Sequence, residues 1–594
     1  MAVELQEGGH VLATPGVRVL TGSRRQVIGA TLVAALCLAV IHVSALANGF
    51  YQIYYGRFGW ELPEVAFLLH YLLFGTVAAG CLAFALSRSV GDWFARTFER
   101  LGALSERATV VLVGASAAVT FVAVTLVRYG LLRDTAITDD ENTYVFMARV
   151  FASGRLYLPS MPEEIRPFFD NQFIINDGKW YGIYFPGHPM VLALGALVGA
   201  ERWIPSLVTV LTVVMGFLVA RRIFGARAAA LSALLLPAAV YVVLPSATLL
   251  AHSTAALALL TFVYGAIRVG GAPDSMRWWV VAGIGLVWAG VTRPLGPAAF
   301  SIPWLLWLAA CVWKSGRPRA WAGGMVFAAI GLASLALFCG YNYALTGDPF
   351  QTGYQRSVQF NGDALLAGRL PAPWPLPTIY EIGHTILRLN FWEFGWPLSL
   401  VFLPFFRRSG PGNVLFVSTC AVPLAYALIG MTNVYALGPT HYAEIAVFVV
   451  ILSASGLEAL VKRARTWLGG EGWARFVMAV PVASVCCMLL AFLPIHAASL
   501  REMSQITRAP YELVERQGLD RAVVFVHSLP ALVVPPGAWV YFHRNPTPGL
   551  LDPVLFVRHL GFERDAQLMR SFPDRKAYIM GVQDGKLIVN PIRP

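Results

Sequence analysis

Charged side chains are scarce in this sequence of 594 residues. Asp, Glu, Lys and Arg make up 13% of the chain, whereas Ala, Val, Ile, Leu, Met, Phe, Trp, Tyr and Cys together make up 57%. A soluble domain carries about one quarter charged residues, so these few charges could not cover the water-facing surface of a chain this long. The composition therefore excludes a soluble globular protein and predicts a polytopic membrane protein.

Signatures of several other protein classes are also missing. The seven cysteines lie in apolar runs without any Cys-x-x-Cys or Cys/His metal spacing, which argues against a disulfide framework and a zinc site. The sequence contains no Walker loop, glycine-rich nucleotide fingerprint or internal repeat. The first 21 residues lack the short apolar stretch and small-residue cleavage site of a signal peptide. The feature that remains informative is the length of the apolar segments.

Long apolar segments recur along most of the chain. A helix needs about 20 apolar residues to cross the roughly 30 Å of hydrocarbon in a bilayer. We therefore predict an α-helical polytopic membrane protein with about thirteen transmembrane helices, some of them short or interrupted by proline. The predicted segments are 27–49, 65–87, 108–132, 203–221, 228–246, 247–267, 278–292, 297–313, 320–343, 395–406, 413–431, 442–461 and 476–493.

Lysine and arginine concentrate in alternate loops between these segments. If the N-terminus is cytoplasmic, seven successive inside segments are basic, and the short outside turns hold almost no basic residue apart from Arg57 and Arg293. Because Lys and Arg remain on the cytoplasmic side of a membrane, the net charge of +12 reports orientation and argues against nucleic acid as a partner. We expect a multi-pass protein of the cytoplasmic (inner) membrane.

This orientation divides the chain into three predicted parts. Residues 1–107 form a cytoplasmic tail and two transmembrane helices, and residues 108–493 form a membrane core with outer loops at 133–188 and 346–393. Residues 494–594 form a small extracytoplasmic, or periplasmic, α/β domain. Its alternating C-terminal residues on either side of Asp584-Gly585 predict a β-hairpin.

An acidic triplet opens the first outer loop. Asp139, Asp140 and Glu141 precede apolar residues at helical spacing in Tyr144–Phe151, which predicts a helix lying in the interface plane. One interpretation is structural, because Thr138 and Glu141 can form a capping box and acids favour a helix N-terminus. Three consecutive acids exceed what capping requires, and they lie where a lipid headgroup would meet an external substrate. A catalytic role is the second interpretation.

Four outer-face motifs follow one another in the sequence. They are Asp140-Glu141-x-x-Tyr144 with its continuation to Leu156, Trp180–Pro189, Tyr341–Pro349 and Gly438–Tyr442. In this order they resemble the GT-C superfamily of membrane glycosyltransferases, which use polyprenyl-phosphate-linked sugars and include the family-39-like protein O-mannosyltransferases and aminoarabinose transferases. The resemblance covers roughly residues 108–465 and implies a GT-C-like core to which the first two spans are an addition.

The resemblance implies a role for each acid of the triplet. Glycosyl transfer from a polyprenyl phosphate requires a base for the acceptor hydroxyl and stabilisation of the departing phosphate. By match to the Asp-Glu pair of the family, Asp140 is expected to be the general base and Glu141 a supporting acid, with Asp139 as the runner-up. Burial or a neighbouring acid raises the pKa of such a carboxyl group toward neutral.

Cationic residues on the outer face are candidates for binding the donor phosphate. Arg293 is the first candidate, because an arginine at the end of a span is unfavourable without a role and can bind phosphate through two hydrogen bonds. The alternative is that its side chain only reaches the interface. Further candidates, each with a structural alternative, are Lys179, His188, His441, Arg166 and, near another outer turn, His252.

Aromatic residues are candidates for a substrate or lipid groove. We assign Tyr144, Tyr184, Trp392 and Tyr442 to it, although Trp and Tyr also form ordinary belts at the membrane interface. The acidic triplet could hold Mg²⁺ or Mn²⁺. Many members of the superfamily work without a metal, so we expect neither an essential metal nor another cofactor.

The combined interpretation is an inverting glycosyltransferase on the outer face of the cytoplasmic membrane. Its partners would be a polyprenyl-phosphate-linked sugar, the bilayer, and a hydroxyl group of a lipid, glycan or protein. A transporter or flippase of lipid-linked saccharide is a second hypothesis, although transporters usually carry internal repeats and ionisable residues near the bilayer centre. A third hypothesis is a non-catalytic membrane scaffold with an outer domain.

Overall fold

The computed structural model describes residues 24–50, 62–169, 171, 173–361, 376–429, 437–467, 470–527, 547 and 549–592. The beginning of the predicted cytoplasmic tail, residues 1–23, lies outside these ranges. The elements in chain order are α1 (Arg24–Ala47), α2 (Leu62–Leu101), α3 (Glu106–Leu126), α4 (Asp139–Ala152), β1 (Leu158–Pro159), β2 (Ile174–Asp177), β3 (Lys179–Gly182), α5 (Gly187–Ala196), α6 (Ile204–Phe224), α7 (Ala226–Leu235), α8 (Val240–Ser246), α9 (His252–Gly271), α10 (Met276–Thr292), α11 (Leu295–Ser315), α12 (Pro318–Thr346), α13 (Gly353–Asn361), α14 (Leu376–Trp392), α15 (Gly410–Leu428), α16 (Ala446–Trp467), α17 (Glu471–Cys487), α18 (Leu493–Arg516), β4 (Ala522–Val526), β5 (Val554–Arg558), α19 (Phe562–Arg570), β6 (Lys576–Gln583) and β7 (Lys586–Pro591).

Ten helical segments are long and apolar enough to cross a membrane in the part of the chain that the structure describes. The bent pair α7–α8 adds an eleventh if it counts as one span, and α10 is apolar but has only 17 residues. The polytopic helical membrane fold is therefore confirmed. The ten segments are Arg24–Ala47, Ala66–Leu101, Glu106–Leu131, Glu201–Phe224, His252–Gly271, Leu295–Ser315, Pro318–Thr346, Gly410–Leu428, Thr440–Thr466 and Glu471–Arg516.

Proline accounts for two differences from the predicted spans. The segment 228–246 bends by 53° between α7 and α8, where Pro237 lies in a short 3-10 turn. The predicted span 395–406 consists of turns and the 3-10 turn Leu403–Phe405, because prolines at 397 and 404 lack the backbone N–H that a continuous helix needs. The estimate of about thirteen spans thus exceeds the ten or eleven helical segments found.

The first outer loop folds around α4 and a small antiparallel sheet with strand order β1-β3-β2. A tight turn at Gly178, with φ of +67°, joins β2 to β3. At the end of β3, a Cβ atom on Gly182 would collide with the side chains of Met147 and Thr143 in α4. Because β3 ends this close to α4, Tyr184, two residues further on, lies beside the first turn of α4 and contacts Asp140.

The C-terminal region is a four-stranded sheet with order β5-β4-β6-β7. Strands β5, β4 and β6 are parallel, whereas β7 pairs antiparallel with β6. The turn between β6 and β7 contains Asp584 and Gly585, with φ of +48° and +72°. The small C-terminal α/β region and its hairpin are therefore present as predicted.

Other parts of the chain cover both faces of this sheet. Tyr511 and Val514 of α18 pack on one face, and Phe168 and Phe169 of the first outer loop pack on the other. Helices α17 and α18 belong to one helical run of 46 residues, Glu471–Arg516, which passes through the predicted domain boundary at 494. The sheet is thus joined to both the membrane bundle and the first outer loop.

Candidate functional site

The N-terminus of α4 is anchored by Glu141. A capping box joins this residue to Thr138. One carboxylate oxygen of Glu141 accepts hydrogen bonds from the backbone N–H groups of Ile137 (2.9 Å) and Thr138 (3.3 Å), and the other accepts one from that of Leu249 (2.9 Å). Glu141 is only 1% exposed. Its carboxylate therefore ties the start of α4 to the segment before α9.

The other two acids differ in exposure. Asp139 is buried, whereas Asp140 is half-buried and accepts a hydrogen bond from the hydroxyl group of Tyr184. Burial raises the pKa of Asp140, while the hydrogen bond from Tyr184 and the charge of Arg293 oppose that rise. Asp140 thus combines partial access with a raised pKa, the combination that a general base near neutral pH requires.

Three tyrosines from separate elements lie around Asp140. The ring centroid of Tyr184 is 4.5 Å from that of Tyr144 in α4 and 5.4 Å from that of Tyr354 in α13. Burial raises the pKa of all three phenols, and the negative charge of Asp140 contributes in the same direction. The phenols therefore stay protonated and can donate hydrogen bonds. The sequence analysis did not identify Tyr354.

Arg293 follows the last residue of α10 and is fixed by residues from the later spans. Its Nη2 atom donates to the backbone carbonyl of His441 (2.8 Å) and lies 3.5 Å from the hydroxyl of Tyr426, while its Nε lies 3.4 Å from Oε2 of Glu444. The third guanidinium nitrogen, Nη1, forms no hydrogen bond with the described residues. The side chain is 19% exposed. Arg293 is thus held on one side and remains available on the other.

Glu444 is a second site residue that the sequence analysis did not identify. Its side chain is fully buried, and its carboxylate lies near Arg293 and 3.9 Å from Nδ1 of His252. Neither carboxylate oxygen has a hydrogen-bond partner within the described ranges. A Cβ atom on Gly296 would collide with this carboxylate, so the glycine leaves the space that Glu444 occupies. A glutamate inside an apolar span was the signal that could have identified it.

His188, a predicted phosphate ligand, is enclosed by other polar groups. Its Nδ1 lies 2.9 Å from the hydroxyl of Thr254, and its Nε2 lies 2.8 Å from the carbonyl oxygen of Leu249. The side chain is fully buried, and burial lowers its pKa to about 4. Both ring nitrogens are therefore engaged within the protein, and the ring is neutral at pH 7.

Lys179 and Arg166 are also engaged within the first outer loop and its surroundings. The Lys179 ammonium donates to the carbonyl oxygen of Ala344 (2.6 Å) and lies 5.0 Å from the ring centroid of Tyr157. Arg166 pairs with Asp177 at 3.2 Å. These contacts assign both cations to structural partners in the present conformation, and their predicted phosphate contacts stay predictions.

The remaining predicted residues fall into two groups. The ring of His441 stacks on Tyr426 at 5.6 Å, and Tyr442 is fully buried 6.2 Å from the same tyrosine, so both lie on the Arg293 side of the site. Trp392 instead packs against His496, with 4.7 Å between ring centroids, and is 3% exposed. Its predicted place in a groove remains a prediction.

The arrangement brings together an acid, a cation and hydroxyl donors. Asp140, Arg293, Tyr144 and Tyr184 interact with one another through hydrogen bonds, ring contacts or charge. Such a set can accept a proton from one group and stabilise negative charge on another. Within the described ranges, no three His, Cys, Asp or Glu side chains form a group that could hold a metal ion.

No protein-family model and no curated relative matches the sequence. The search of solved structures finds ArnT from Cupriavidus metallidurans in the apo state, with a TM-score of 0.48, 16% identity and coverage of 80% of this chain and 93% of that chain. For ArnT bound to undecaprenyl phosphate, the TM-score is 0.48, the identity is 16% and the coverage is 82% and 98%.

Two further similar structures are an oligosaccharyltransferase and an arabinosyltransferase by name. The oligosaccharyltransferase of Archaeoglobus fulgidus in complex with Zn and sulfate aligns with a TM-score of 0.41 at 15% identity over 68% of this chain and 55% of that chain. The arabinosyltransferase EmbB of Mycobacterium smegmatis aligns with a TM-score of 0.34 at 13% identity over 77% of this chain and 46% of that chain.

Proposed function

We propose that this protein is an inverting glycosyltransferase of the cytoplasmic membrane. It moves a sugar from a polyprenyl-phosphate donor to a hydroxyl group of a lipid, glycan or protein on the outer face. The observation that carries the proposal is the half-buried carboxylate of Asp140, held by Tyr184, close enough to Arg293 for their charges to interact. A base and a fixed cation are the two groups that this transfer needs.

The proposed step is a single displacement. Asp140 accepts the proton of the acceptor hydroxyl as that oxygen forms a bond to the anomeric carbon, on the face opposite the phosphate. The bond between the anomeric carbon and the phosphate oxygen breaks, and its electron pair stays on the phosphate. The Nη1 atom of Arg293, which has no hydrogen bond to the described residues, donates to the phosphate as negative charge develops. Attack from the opposite face inverts the anomeric configuration.

The raised pKa of Asp140 determines how the reaction depends on pH. A base must be deprotonated to accept a proton, so turnover falls as pH decreases through the pKa of Asp140. Because burial raises that pKa, we expect this acid-side loss at a higher pH than for an ordinary aspartate. A base with a pKa nearer neutral also has a stronger affinity for the proton that it removes.

The proposed reaction uses the residues of the chain and assigns no metal or other cofactor. The donor reaches the site through the bilayer, because its polyprenyl chain is apolar and its phosphate is charged. The distribution of Lys and Arg supports a cytoplasmic N-terminus and an outer location for α4 and the C-terminal sheet. Nucleic acid has no place in this proposal.

The test compares cell-envelope glycans by mass spectrometry. A deletion strain would carry the wild-type gene, Asp140→Asn, or the control Glu163→Gln, which neutralises an exposed acid in the same outer loop. We expect one sugar mass to disappear in the deletion strain and with Asp140→Asn, and to return with wild type and Glu163→Gln. Full restoration by Asp140→Asn would overturn the proposal.

A flippase of lipid-linked saccharide is the second candidate, because the bent pair α7–α8 resembles the broken helices of transporters. Transport without chemistry would survive Asp140→Asn, and the deletion would accumulate the lipid-linked saccharide on the cytoplasmic leaflet. A scaffold would survive neutralisation of Asp139, Asp140 and Glu141 together. Adding this triple variant to the strains above, and measuring lipid-linked saccharide in the deletion strain, therefore separates the three hypotheses.

A further inference from the structure

Helix α2 breaks at the end of the bundle that lies away from the candidate site. Val90, inside α2, has non-helical backbone angles of φ −134° and ψ 18°. Arg475, near the start of the run Glu471–Arg516, pairs with Asp92 just beyond this break at 2.6 Å. Ser504, 29 residues later in that run, donates to the carbonyl of Leu132, shortly before α4. At 1.5 Å per residue, the break lies roughly 40 Å from the level of α4.

A basic cavity of 360 Å³ lies at this break. Three arginines line it, Arg88, Arg96 and Arg475, together with a single acid, Asp92. That acid pairs with Arg475, whose buried Nε atom nevertheless has no hydrogen-bond partner in the described chain. The guanidinium of Arg88 lies 5.5 Å from the ring centroid of Phe84 and forms no hydrogen bond or ion pair with the described residues. The cavity therefore has a net positive charge and guanidinium groups that are available for an anion.

An apolar groove of 310 Å³ adjoins the basic cavity. Helices α2, α7, α16 and α17 form its walls, and residues such as Phe94, Phe98, Leu234 and Val482 line it. Trp93 lines both the basic cavity and the groove, so the two spaces lie side by side along α2. A charged space next to an apolar space between helices matches the two parts of a lipid, its headgroup and its hydrocarbon chain.

We propose that this composite site binds an anionic lipid with a phosphate headgroup. The phosphate would lie among Arg88, Arg96 and Arg475, because guanidinium groups form paired, charge-assisted hydrogen bonds with phosphate oxygens. The hydrocarbon chain would lie in the groove beyond Trp93, a residue type that favours the membrane interface. Basic pockets between helices on the cytoplasmic side are typical of anionic-lipid sites. This inference does not rest on the proposed glycosyl transfer.

Two lipid classes share this chemistry, an anionic phospholipid and a polyprenyl phosphate. Native mass spectrometry of the full-length protein in detergent can measure the occupancy of each after addition of phosphatidylglycerol, phosphatidylcholine or undecaprenyl phosphate at equal concentrations. Phosphatidylcholine carries a phosphate but no net charge, so it measures binding that depends on the hydrocarbon chains alone. We expect the wild type to retain phosphatidylglycerol or undecaprenyl phosphate in preference to phosphatidylcholine.

Matched variants distinguish a built site from the general positive charge of this face. Each arginine near a lipid headgroup contributes about fivefold to the affinity. The double variant Arg88→Gln/Arg96→Gln should therefore reduce the apparent affinity for the preferred lipid about 25-fold. The control Arg221→Gln/Arg222→Gln removes the same charge from exposed positions at the same end of the bundle, beside Arg227, which pairs with α2 through Glu99. We expect the control to change the affinity less than threefold.

A change in the groove tests the other half of the site without altering charge. Val482→Trp places a large side chain in the groove, whereas Val417→Trp makes the same change at a similarly exposed position on α15, outside the groove. We expect only Val482→Trp to reduce lipid occupancy. Losses confined to phosphatidylglycerol identify a phospholipid, and losses confined to undecaprenyl phosphate identify the polyprenyl lipid. Equal binding of all three lipids, or equal losses in the two arginine variants, would overturn the proposal.

Discussion

At the end of the bundle opposite α4, Arg317 and Asp274 pair at 2.8 Å with side chains that are 63% and 35% exposed. At the outer end, Arg293 lies 3.4 Å from Glu444, whose side chain is fully buried. Water screens the first pair, so it contributes little to stability. In the second pair, loss of either partner would leave a buried charge without compensation. Exposed arginines are what the predicted membrane orientation requires, whereas a buried pair depends on the tertiary fold and is a candidate for a site.

The largest effect is expected at Asp140. Asp140→Asn keeps the shape of the side chain but removes the base, and loss of general-base catalysis should reduce turnover about 10²- to 10⁴-fold. The measurement is sugar transfer from a radiolabelled polyprenyl-phosphate donor in membrane vesicles that contain the native acceptor. Glu163→Gln, in the same loop, should retain the wild-type rate. A loss of less than tenfold for Asp140→Asn would assign the base elsewhere.

The second effect concerns donor affinity at the buried pair. Arg293→Gln should weaken donor binding about 10- to 100-fold, because charged hydrogen bonds to the phosphate are lost. Glu444→Gln should also weaken it, because Glu444 positions the guanidinium. If Glu444 acts only through Arg293, adding Glu444→Gln to Arg293→Gln should have no further effect. The measurement is the donor KM and kcat of the two single variants and the double variant.

Gly296 offers an independent way to disturb the same pair. Gly296→Ala should displace the Glu444 carboxylate without changing any charge, whereas Gly290→Ala adds the same methyl group in open space on α10. We expect Gly296→Ala to raise the donor KM as Glu444→Gln does, and Gly290→Ala to leave it unchanged. An unaffected KM in both Arg293→Gln and Glu444→Gln would contradict the phosphate role. An effect only in Arg293→Gln would contradict the positioning role of Glu444.

A smaller effect is expected in the pH profile of Tyr184→Phe. The Tyr184 hydrogen bond lowers the pKa of Asp140 against the effect of burial, so its removal should raise that pKa further. The acid-side fall in turnover should therefore move to higher pH, while the rate at alkaline pH should approach the wild-type value. Initial rates between pH 5 and 9 measure this shift. A shift to lower pH would contradict the proposed contact.

The smallest effect is expected for the exposed pair. Arg317→Gln should change the free energy of unfolding by about 0.5 kcal/mol, because exposed ion pairs contribute little in water. Thermal unfolding in one detergent should show a much larger loss for Glu444→Gln than for Arg317→Gln. Equal losses would remove the distinction between the two ends of the bundle.

Local sequence signals were sufficient for α4 and its acids. Apolar spacing predicted the helix, and the Thr138/Glu141 pair predicted the capping box that the structure contains. The structural interpretation of the triplet fits Glu141, which anchors the backbone, whereas the catalytic role that we propose for Asp140 rests on its half-buried position beside Tyr184. Spacing alone could not divide these roles, since neighbouring carboxylates have the same chemistry until burial and partners distinguish them.

The partners of Arg293 could not be located in the same way. The predicted sidedness of the loops placed Arg293 at an outer turn. Its partners Tyr426 and His441 lie 133 and 148 residues further along the chain, too far for a local pattern to connect them with Arg293. Glu444 was missed because a single acid hardly changes the hydropathy of its apolar span. Lys179 and His188, chosen for their type and side, instead contact Ala344 and Thr254 in the structure. Side-chain type shows which groups can bind phosphate, but it does not show which remain available.

Local patterns in the sequence were enough to predict the membrane location, the helical class, the sidedness of the loops and the start of α4. These properties are sums of hydropathy and charge over neighbouring residues, or hydrogen bonds within one helical turn. Three other features could be seen only in the folded chain: Asp140 is the most exposed acid of the triplet, Glu444 accompanies Arg293, and α2 and α17 line a basic cavity. Burial, pKa and ion pairing depend on groups that are distant in the chain, and packing alone brings those groups together.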